Sequence, residues 1–399
     1  MKLVRKDKYI DYCSISILEV ISISILEVIM KIRMYECGFG DCFRIMQEGQ
    51  RDLYVDFGTL QSNSSKSDRE EKFKNIINEM NDDKDFLLTH YHLDHFNGVL
   101  YMKSNGHKFR HVYIPDVWNI NYREDAFALL LLRDILRKDT ISISNKEVKL
   151  LLSFFESICL SDSTIHFITR GNKFHNNQFI ALWPSKEYVD KKTHDLYKGF
   201  ENTFGKEKMY RVKALSVKLI DLLDSYQKNQ ELDYEHEFND IKLEFIKIKS
   251  MFNANISFDN TKYVGKQLNE LGNEISIVFQ NCDGDKNVLF TGDFGKVTNW
   301  KFIENNRDGI VYMHQKYNVI KVPHHGTKVY YHSFVDRMSN CSIFLIPNGY
   351  NSGSWGIHSK YIDDSFNHNY KSICSCCPKC SGKVCADCNP IKKNSHADV

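Results

Sequence analysis

A dense cluster of histidine and aspartate side chains restricts what this chain can fold into more than any other feature. Residues 89–95 read Thr-His-Tyr-His-Leu-Asp-His, directly after a strand-like apolar segment. In an extended backbone alternate side chains point the same way, so His90 and His92 can hold one cation together. Asp94 and His95 come after the turn, where they can hold a second cation. The motif therefore predicts a dinuclear metal site at the end of a buried strand, with further ligands from elsewhere in the chain.

Composition adds few constraints. With 399 residues, 42% of them hydrophobic, the chain can bury the core of one large domain or two ordinary ones. The formal net charge is +2, so global charge argues neither for nor against nucleic acid, and phosphate recognition must be local. No small-residue cleavage site follows the N-terminal apolar stretch, so no signal peptide is predicted. We expect a cytoplasmic protein whose 12 cysteines are free thiols or metal ligands.

The N-terminal segment contains a duplicated octapeptide. The sequence Ser-Ile-Ser-Ile-Leu-Glu-Val-Ile occurs at residues 14–21 and again, without change, at 22–29. Two copies are too few for a solenoid, and their glutamates count against a membrane span. We therefore expect the folded domain to start near Met30, with residues 1–29 outside the fold and no contact with a membrane.

From Met30 onward the hydrophobic pattern alternates between strand and helix. Strands are predicted at residues 30–35, 42–46 and 53–58. The segment 67–80 places its apolar side chains on one face of a helix. This interleaving predicts an α/β (α+β) fold.

Four further motifs occur in order along the chain. They are Gly-Phe-Gly-Asp at 38–41, Val-Asp-Phe-Gly at 55–58, Leu-Phe-Thr-Gly-Asp at 289–293 and Ile-Lys-Val-Pro-His-His-Gly-Thr at 320–327. Together with residues 89–95 they resemble the metallo-β-lactamase fold, in particular the hydrolase domain of the ComEC-like competence proteins that internalise DNA. The resemblance covers most of residues 30–365 apart from one insertion. It implies a four-layer αββα sandwich with the metals at one edge of two packed sheets.

The resemblance also implies roles for residues in the later motifs. Asp293, which a tight Thr-Gly turn presents after an apolar strand, would be the carboxylate that bridges both metals. His325 would complete the second metal, with His324 beside it. The sequence leaves open which histidine of this pair is the ligand, and we favour His325 because Gly326 leaves its approach open.

One departure from the wider superfamily concerns the first metal. Many members supply a third histidine from a loop between His95 and Asp293, and here that region offers only His175, in a different setting. The competence-like branch often lacks this histidine too. The first metal is then left with His90, His92, Asp293 and water, which is an open site. Two zinc ions are expected for this imidazole-rich set, with manganese as the alternative.

The predicted mechanism is hydrolytic. Two cations would lower the pKa of a bridging water and stabilise the charge of the transition state. Asp94 would ligate and orient the resulting hydroxide, and His324 or His358 would protonate the leaving group. The spacing around His358 is loose, and an exposed loop histidine is the alternative. The predicted substrate-binding residues are Asp41, Lys321 and Asn351.

Residues 185–266 depart from the family pattern and are predicted to form a helical insertion. Two apolar stripes at helical spacing indicate two amphipathic helices, packed as a hairpin over the sandwich. The stripes are Val212, Leu215, Leu219, Leu222 and Leu223, then Phe238, Ile241, Phe245 and Ile248. The insertion is either a packed decoration or a lid or protein-docking arm near the site.

Residues 366–399 form a cysteine-rich tail. Cys377 with Cys380, and Cys385 with Cys388, make two C-x-x-C pairs whose spacing lets thiolates bind one structural zinc ion. The gap between the pairs is short. The alternatives are a compact zinc knuckle and a disordered, oxidation-prone tail.

The function predicted from these features is that of a metal-dependent phosphodiesterase or nuclease acting on nucleic acid or a nucleotide-like phosphodiester. The same fold also opens lactams, lactones and thioesters, so the fold alone does not supply the substrate. One alternative is a small-molecule hydrolase acting on a lactone or cyclic nucleotide. The other is a metal-binding regulatory module that acts through the helical insertion. The sequence carries no signature of oligomeric state.

Overall fold

The computed structural model describes residues 30–60, 66–102, 106–137, 142–143, 146–147, 150–253, 258–283, 286–331, 343–348, 355–361, 371–374 and 397–398. The predicted N-terminal extension 1–29 lies outside the described residues, as do Asn351 and the cysteines Cys377, Cys380, Cys385 and Cys388. Within the described residues helices and strands are interleaved, which confirms the mixed α/β class.

The strands are β1 (Met30–Met34), β2 (Cys42–Gln47), β3 (Asp52–Phe57), β4 (Lys84–Leu87), β5 (His111–Pro115), β6 (Ser142–Ile143), β7 (Lys146–Glu147), β8 (Thr164–Ile168), β9 (Lys173–Phe174), β10 (Phe179–Trp183), β11 (Val278–Asn281), β12 (Val288–Phe290), β13 (Val319–Lys321), β14 (Ile343–Ile346), β15 (Lys371–Cys374) and β16 (Ala397–Asp398). The helices are α1 (Lys66–Asn78), α2 (Leu93–Phe96), α3 (Val99–Met102), α4 (Arg123–Leu136), α5 (Leu150–Cys159), α6 (Lys186–Phe204), α7 (Lys206–Gln227), α8 (Tyr234–Asn253), α9 (Phe258–Glu274) and α10 (Val297–Glu304). Short 3₁₀ turns occur at Pro323–Gly326, Lys328–Tyr330 and Ser359–Tyr361.

Two mixed seven-stranded sheets form the centre of the molecule. The first has the order β16-β1-β2-β3-β4-β5-β8, and the second has the order β15-β14-β13-β12-β11-β10-β9. Strands β3, β4, β5 and β8 run parallel in the first sheet, as do β12, β13, β14 and β15 in the second. Because the carboxyl ends of parallel strands meet at one edge, the residues that follow β3, β4, β12 and β13 are brought together.

The two sheets pack face to face. Side chains from both sheets form one buried cluster, which includes Val55 and Leu87 from the first sheet and Phe279 from the second. Phe43 meets Phe290 edge to face across this layer, with ring centroids 5.3 Å apart. Strand β3 is buried along its whole length, including its two aspartates, Asp52 and Asp56.

Helices cover the outer faces of both sheets. On the first sheet a large apolar cluster joins Phe57 and Phe86 to helices α1, α4 and α5 and to the helices between β10 and β11. On the second sheet Trp300 and Ile303 of α10 pack against strand residues such as Leu289. The first sheet is therefore covered by several helices, and α10 packs on the second sheet.

The helical region between β10 and β11 is larger than the sequence predicts. Both predicted apolar stripes are buried, one on α7 and the other on α8. However, the region contains four helices, α6 to α9, rather than a hairpin of two, and α9 runs past the predicted end at residue 266 to Glu274. All four contact α4, so the region continues the helical layer on the first sheet.

Among the residues that the structure describes, no helix combines the length and the apolar character needed to cross a lipid bilayer.

Candidate metal centre

The loop after β4 is held against the loops after β1 and β3 by close backbone contacts at two glycines. A Cβ atom at Gly58 would lie 2.4 Å from the carbonyl carbon of Asp94, and one at Gly40 would lie 2.2 Å from the carbonyl oxygen of Gly58. Only glycine fits at both positions. The backbone N–H of Asp41 donates to the carbonyl oxygen of Asp94 at 3.2 Å. These contacts explain why the glycine motifs at 38–41 and 55–58 accompany the histidine cluster.

Three buried side chains form what we call the first metal group: His90, His92 and Asp293. Each offers one ligand atom, and these atoms all lie within 4.8 Å of one another. His90 Nε2 is 3.9 Å from Asp293 Oδ2. The group joins the loop after β4 in the first sheet to the loop after β12 in the second.

Four buried side chains form the second metal group: Asp94, His95, Asp293 and His325. The Nε2 atoms of His95 and His325 each lie 3.3 Å from Asp293 Oδ2. His325 Nε2 is also 3.4 Å from Asp94 Oδ2. Asp293 thus belongs to both groups, which is the arrangement of a carboxylate shared between two cations.

The donor atoms of the two groups fit a metal because they lack other partners. The Nε2 atoms of His90, His92, His95 and His325 are buried and have no hydrogen-bond partner among the described residues. An unsatisfied buried polar atom costs about 1–3 kcal/mol, so four of them in one place are expensive to maintain. Imidazole nitrogens and carboxylate oxygens are the ligands that zinc binds in proteins, and one cation in each group would satisfy all four nitrogens.

Carboxylates orient the two imidazoles of the second metal group. His95 Nδ1 lies 2.8 Å from Asp56 Oδ2, and His325 Nδ1 lies 2.8 Å from Asp41 Oδ1. Because Nδ1 donates to a carboxylate, Nε2 is turned toward the site in both rings. Carboxylates placed behind metal-binding histidines in this way fix the tautomer and strengthen the ligand.

Asp56 is a functional residue that the sequence does not single out. It adopts a left-handed backbone conformation with φ of 56°, which costs about 1–3 kcal/mol in a non-glycine residue. Thr89 donates to it twice, from N–H and from Oγ1, each at 2.7 Å. Thr89 Oγ1 also lies 3.1 Å from His90 Nδ1. The available signal was the position of Asp56 in the 55–58 motif, at the end of a parallel strand.

Asp41 and Lys321 are placed behind the metal groups, which corrects the prediction that they bind substrate. Both side chains are only 1% exposed, and Lys321 Nζ lies 2.6 Å from Asp41 Oδ2. Lys321 also donates to the carbonyl oxygen of Gly292 at 2.7 Å and approaches Asp293 Oδ1 at 3.4 Å. The lysine therefore engages one oxygen of Asp293 and leaves Oδ2 for the histidines. No substrate can reach either buried side chain.

Nearby carboxylates raise the pKa of both histidines in the second metal group. Burial by itself lowers the pKa of His95, but Asp293 and Asp56 outweigh it and raise that pKa to about 10. Burial likewise opposes charge on His325, whereas Asp293 and Asp41 raise its pKa well above the usual value. In the metal-free protein both rings are therefore imidazolium ions at neutral pH.

The histidines of the first metal group have the opposite character. Burial is the largest cause that lowers the pKa of His90 well below its usual value, and the charge of the nearby His95 is the next. Burial, followed by the positive charge of Arg133, does the same for His92. Both rings are neutral at neutral pH and are ready to bind a cation without losing a proton.

The turn after β13 presents two adjacent histidines in a strained conformation. His324 and His325 have φ values of 46° and 55°. The turn sends His325 into the second metal group, whereas His324 Nδ1 lies 3.0 Å from Thr327 Oγ1. His324 Nε2 is 3.7 Å from Asp293 Oδ2. Burial lowers the pKa of His324 to about 4, so this ring is neutral at neutral pH.

Two other histidines lie away from the metal groups. His358 stacks on Tyr331 with ring centroids 4.0 Å apart, and its Nδ1 accepts a hydrogen bond from the backbone N–H of Lys360. It does not line the cavity described below, so the prediction that it protonates a leaving group is not supported by its position. His175 Nδ1 lies 3.0 Å from Asp85 Oδ2, at the opposite end of β4 from the site, and is no third ligand.

A cavity of about 530 Å³ opens onto both metal groups. His92, Asp94, Asp293 and His324 line it on the metal side. Helix α4 with the residue after it, helix α9, and aromatic side chains from three loops line the remainder. These residues include Arg133, Arg137, Asn269, Asn273, Phe39, Tyr330 and Trp355. The helical region therefore reaches the site through α9.

The site as a whole is a pair of adjacent buried His/Asp groups, each of which could hold a cation, that share one carboxylate and face a solvent-connected cavity. Such an arrangement is suited to activating water and to stabilising negative charge on a substrate. Neither a scan against models of protein families nor a search of the curated proteins finds a match for this chain.

Proposed function

We propose that this chain is a dinuclear metal-dependent phosphodiesterase with the four-layer αββα fold of the metallo-β-lactamases, similar to the ComEC-like hydrolase domain. The observation that carries the proposal is the position of Asp293, whose Oδ2 atom lies within 3.9 Å of His90 and within 3.3 Å of His95 and His325. Two sheets that pack face to face, each with helices on its outer side, support the fold.

Each metal would be held by the residues already grouped by geometry. His90, His92 and Asp293 would hold one cation, and Asp94, His95, Asp293 and His325 would hold the other. The mixture of imidazole and carboxylate ligands favours zinc, with manganese as the alternative. When bound, two divalent cations lower the pKa of a water molecule and neutralise charge on the phosphoryl group.

Asp94 and His324 are the residues that would act on water and substrate. Burial opposes ionisation of Asp94, but His95 and His325 outweigh it and lower its pKa, so the carboxylate is ionised at neutral pH. Asp94 lines the cavity and can accept a hydrogen bond from the attacking water. The neutral ring of His324 also lines the cavity. It would hydrogen-bond the substrate rather than act as a charged proton donor, which revises the role predicted from the sequence.

The charge of the cavity favours a phosphodiester over a neutral ester. Arg133 and Arg137 are lining residues on the side of α4. A lactone gives these guanidinium groups no counter-ion, whereas a phosphodiester carries a permanent negative charge that guanidinium binds well.

The test is hydrolysis by the full chain loaded with zinc or manganese. We expect turnover of bis(p-nitrophenyl) phosphate or of single-stranded nucleic acid, and its loss in a His92→Ala, Asp94→Ala double variant. His236→Ala, in an exposed histidine on α8, serves as the matched control and should retain full activity. A protein that binds two metals and cleaves no phosphodiester, DNA or RNA contradicts the proposal.

A further inference from the structure

Two arginines at the C-terminal end of α4 face the cavity. Arg133 and Arg137 are four residues apart, so their side chains lie on the same side of the helix. Arg133 is fixed from two directions. Its Nη1 donates to the carbonyl oxygen of Tyr91 at 2.5 Å, and its Nε donates to Asn269 Oδ1 of α9 at 3.1 Å.

Arg137 has a donor, its Nε atom, that the described residues around it leave unused. Its Nε atom is buried and has no hydrogen-bond partner among the described residues. Asp134 accepts a hydrogen bond from the backbone N–H of Leu151 at the start of α5, and its charge acts on both Arg133 and Arg137. One carboxylate between two guanidinium groups of like charge leaves a net positive charge, which an anion in the cavity would offset.

An aromatic surface lines the same cavity. Trp355 is 50% exposed, whereas Trp118, Trp183 and Trp300 are all buried. The indole of Trp355 is nearly parallel to the ring of His324, at 24° with centroids 5.7 Å apart. Its edge meets Phe39 at 83°. Because these contacts fix the indole while half of its surface stays open, it is prepared to stack with a planar group.

The size of the cavity limits what can occupy it. A volume of about 530 Å³ lies within the range of pockets that enclose single small ligands. Bases in a double helix are stacked and paired, so they offer no free face to an indole. A mononucleotide ester or one unit of a single strand offers an anionic phosphate and an unstacked base together.

We infer that the cavity binds one nucleoside phosphodiester unit, with its phosphate oxygens on Arg133 and Arg137 and its base against Trp355. This inference rests on the proposed phosphodiesterase function and names its substrate class. Helix α9 serves as a specificity element, because Asn269 positions Arg133. The helical region is then part of the substrate site as well as a packed layer.

Binding of three probes to the metal-loaded full chain tests this assignment. The probes are the methyl ester of thymidine 5′-monophosphate, dimethyl phosphate, which lacks a base, and thymidine, which lacks a phosphate. Surface plasmon resonance with the immobilised chain measures the affinity of wild type and of each variant for every probe within seconds of contact, so the readout does not depend on Trp355.

We expect the nucleotide ester to bind more tightly than either fragment. Arg137→Gln should weaken binding of both the nucleotide ester and dimethyl phosphate about tenfold or more, because each complex loses a charge-assisted contact. Trp355→Ala should weaken binding of the nucleotide ester about tenfold and leave binding of dimethyl phosphate unchanged. Arg123→Gln, at the other end of α4 and paired with Asp224, is the matched control and should change neither.

Two results would overturn the inference. One is equal binding of the nucleotide ester by wild type, Arg137→Gln and Trp355→Ala. The other is equal affinity for the nucleotide ester and dimethyl phosphate in the wild type. If either result is accompanied by turnover of bis(p-nitrophenyl) phosphate, this inference fails and the proposed function stands. If the probes bind as expected but no phosphodiester is turned over, the proposed function is contradicted instead. A ten-residue oligothymidylate that binds more tightly than the nucleotide ester would identify a single strand as the source of the unit.

Discussion

The two metal groups share Asp293 but differ in how their histidines are held. In the second group His95 and His325 are each backed by a buried carboxylate at 2.8 Å. In the first group His90 has only a threonine hydroxyl at 3.1 Å behind its ring. Carboxylate support keeps a ring in one orientation and increases its basicity, so the second group is the better prepared of the two.

The first group depends instead on packing by the helical region. A Cβ atom at Gly272 of α9 would lie 2.2 Å from His92 Nε2, so the helix backbone closes directly over this ring. The two groups thus differ in origin as well as in strength. The second is built by residues on the strand ends, and the first is completed by a helix outside the sheets. We expect the second group to bind metal more tightly.

The largest effect should come from removing the residue that both groups share. Asp293→Ala deletes a ligand from each group and leaves the remaining imidazoles without their common anion, so both affinities should fall by more than about 100-fold. Metal content measured by mass spectrometry should drop from two per chain toward zero. Asp240→Ala, in an exposed carboxylate on α8, is the control. Retention of one full equivalent by Asp293→Ala would show that the groups do not depend on a shared carboxylate.

A smaller effect, largest in the second group, should follow loss of its supporting carboxylates. Asp56→Asn or Asp41→Asn keeps the shape but removes the charge behind His95 or His325. We expect about 10- to 100-fold weaker binding at the second site. The loss at the first site should be smaller, because Asp56 reaches His90 only through Thr89 and Asp41 reaches Asp293 only through Lys321. Asp85→Asn is a matched control, because Asp85 backs His175, which binds no metal, with similar geometry. Equal weakening of both sites would erase the distinction between the groups.

The smallest effect should come from the first group. Gly272→Ala forces His92 aside and should weaken the first site about tenfold while leaving the second site unchanged. Gly265→Ala is the control on the same helix, since a Cβ atom there meets nothing within 4 Å. That variant should bind metal normally and gain roughly 0.5–1 kcal/mol in helix stability. Calorimetric metal titration and thermal unfolding of both variants measure these outcomes, and normal metal binding by Gly272→Ala would remove the role given to α9.

Much of this site could be predicted because its ligands lie in short motifs at strand ends. Residues 89–95 indicate two cation sites by spacing alone, and the later motifs supply Asp293 and His325 through their resemblance to a family. The roles of Asp41 and Lys321 could not be predicted, because a sequence does not show that two charged side chains are buried against each other. Asp56 was overlooked for the same reason.

The helical region was harder still to predict. Its apolar stripes show which face of α7 and of α8 is buried, and both faces are buried as expected. Periodicity does not say what a helix packs against. The contact of Gly272 with His92 and the bond from Arg133 to Asn269 join segments far apart in the chain, so they were visible only in the structure.

The most direct test of the difference between the groups is the release of protons as metal binds. Calorimetric titration of the chelator-treated protein with zinc at pH 7, repeated in buffers of different ionisation enthalpy, gives the protons released at each step. His95, with a pKa of about 10, and His325, with a raised pKa, must each lose a proton to bind metal. His90 and His92, with lowered pKa values, have none to lose. We predict a tight step that releases about two protons from the imidazolium rings, and whose affinity rises with pH. The weaker step should release at most about one proton, from the water whose pKa the two cations lower together. Equal release at both steps, or release confined to the weaker step, would contradict the account.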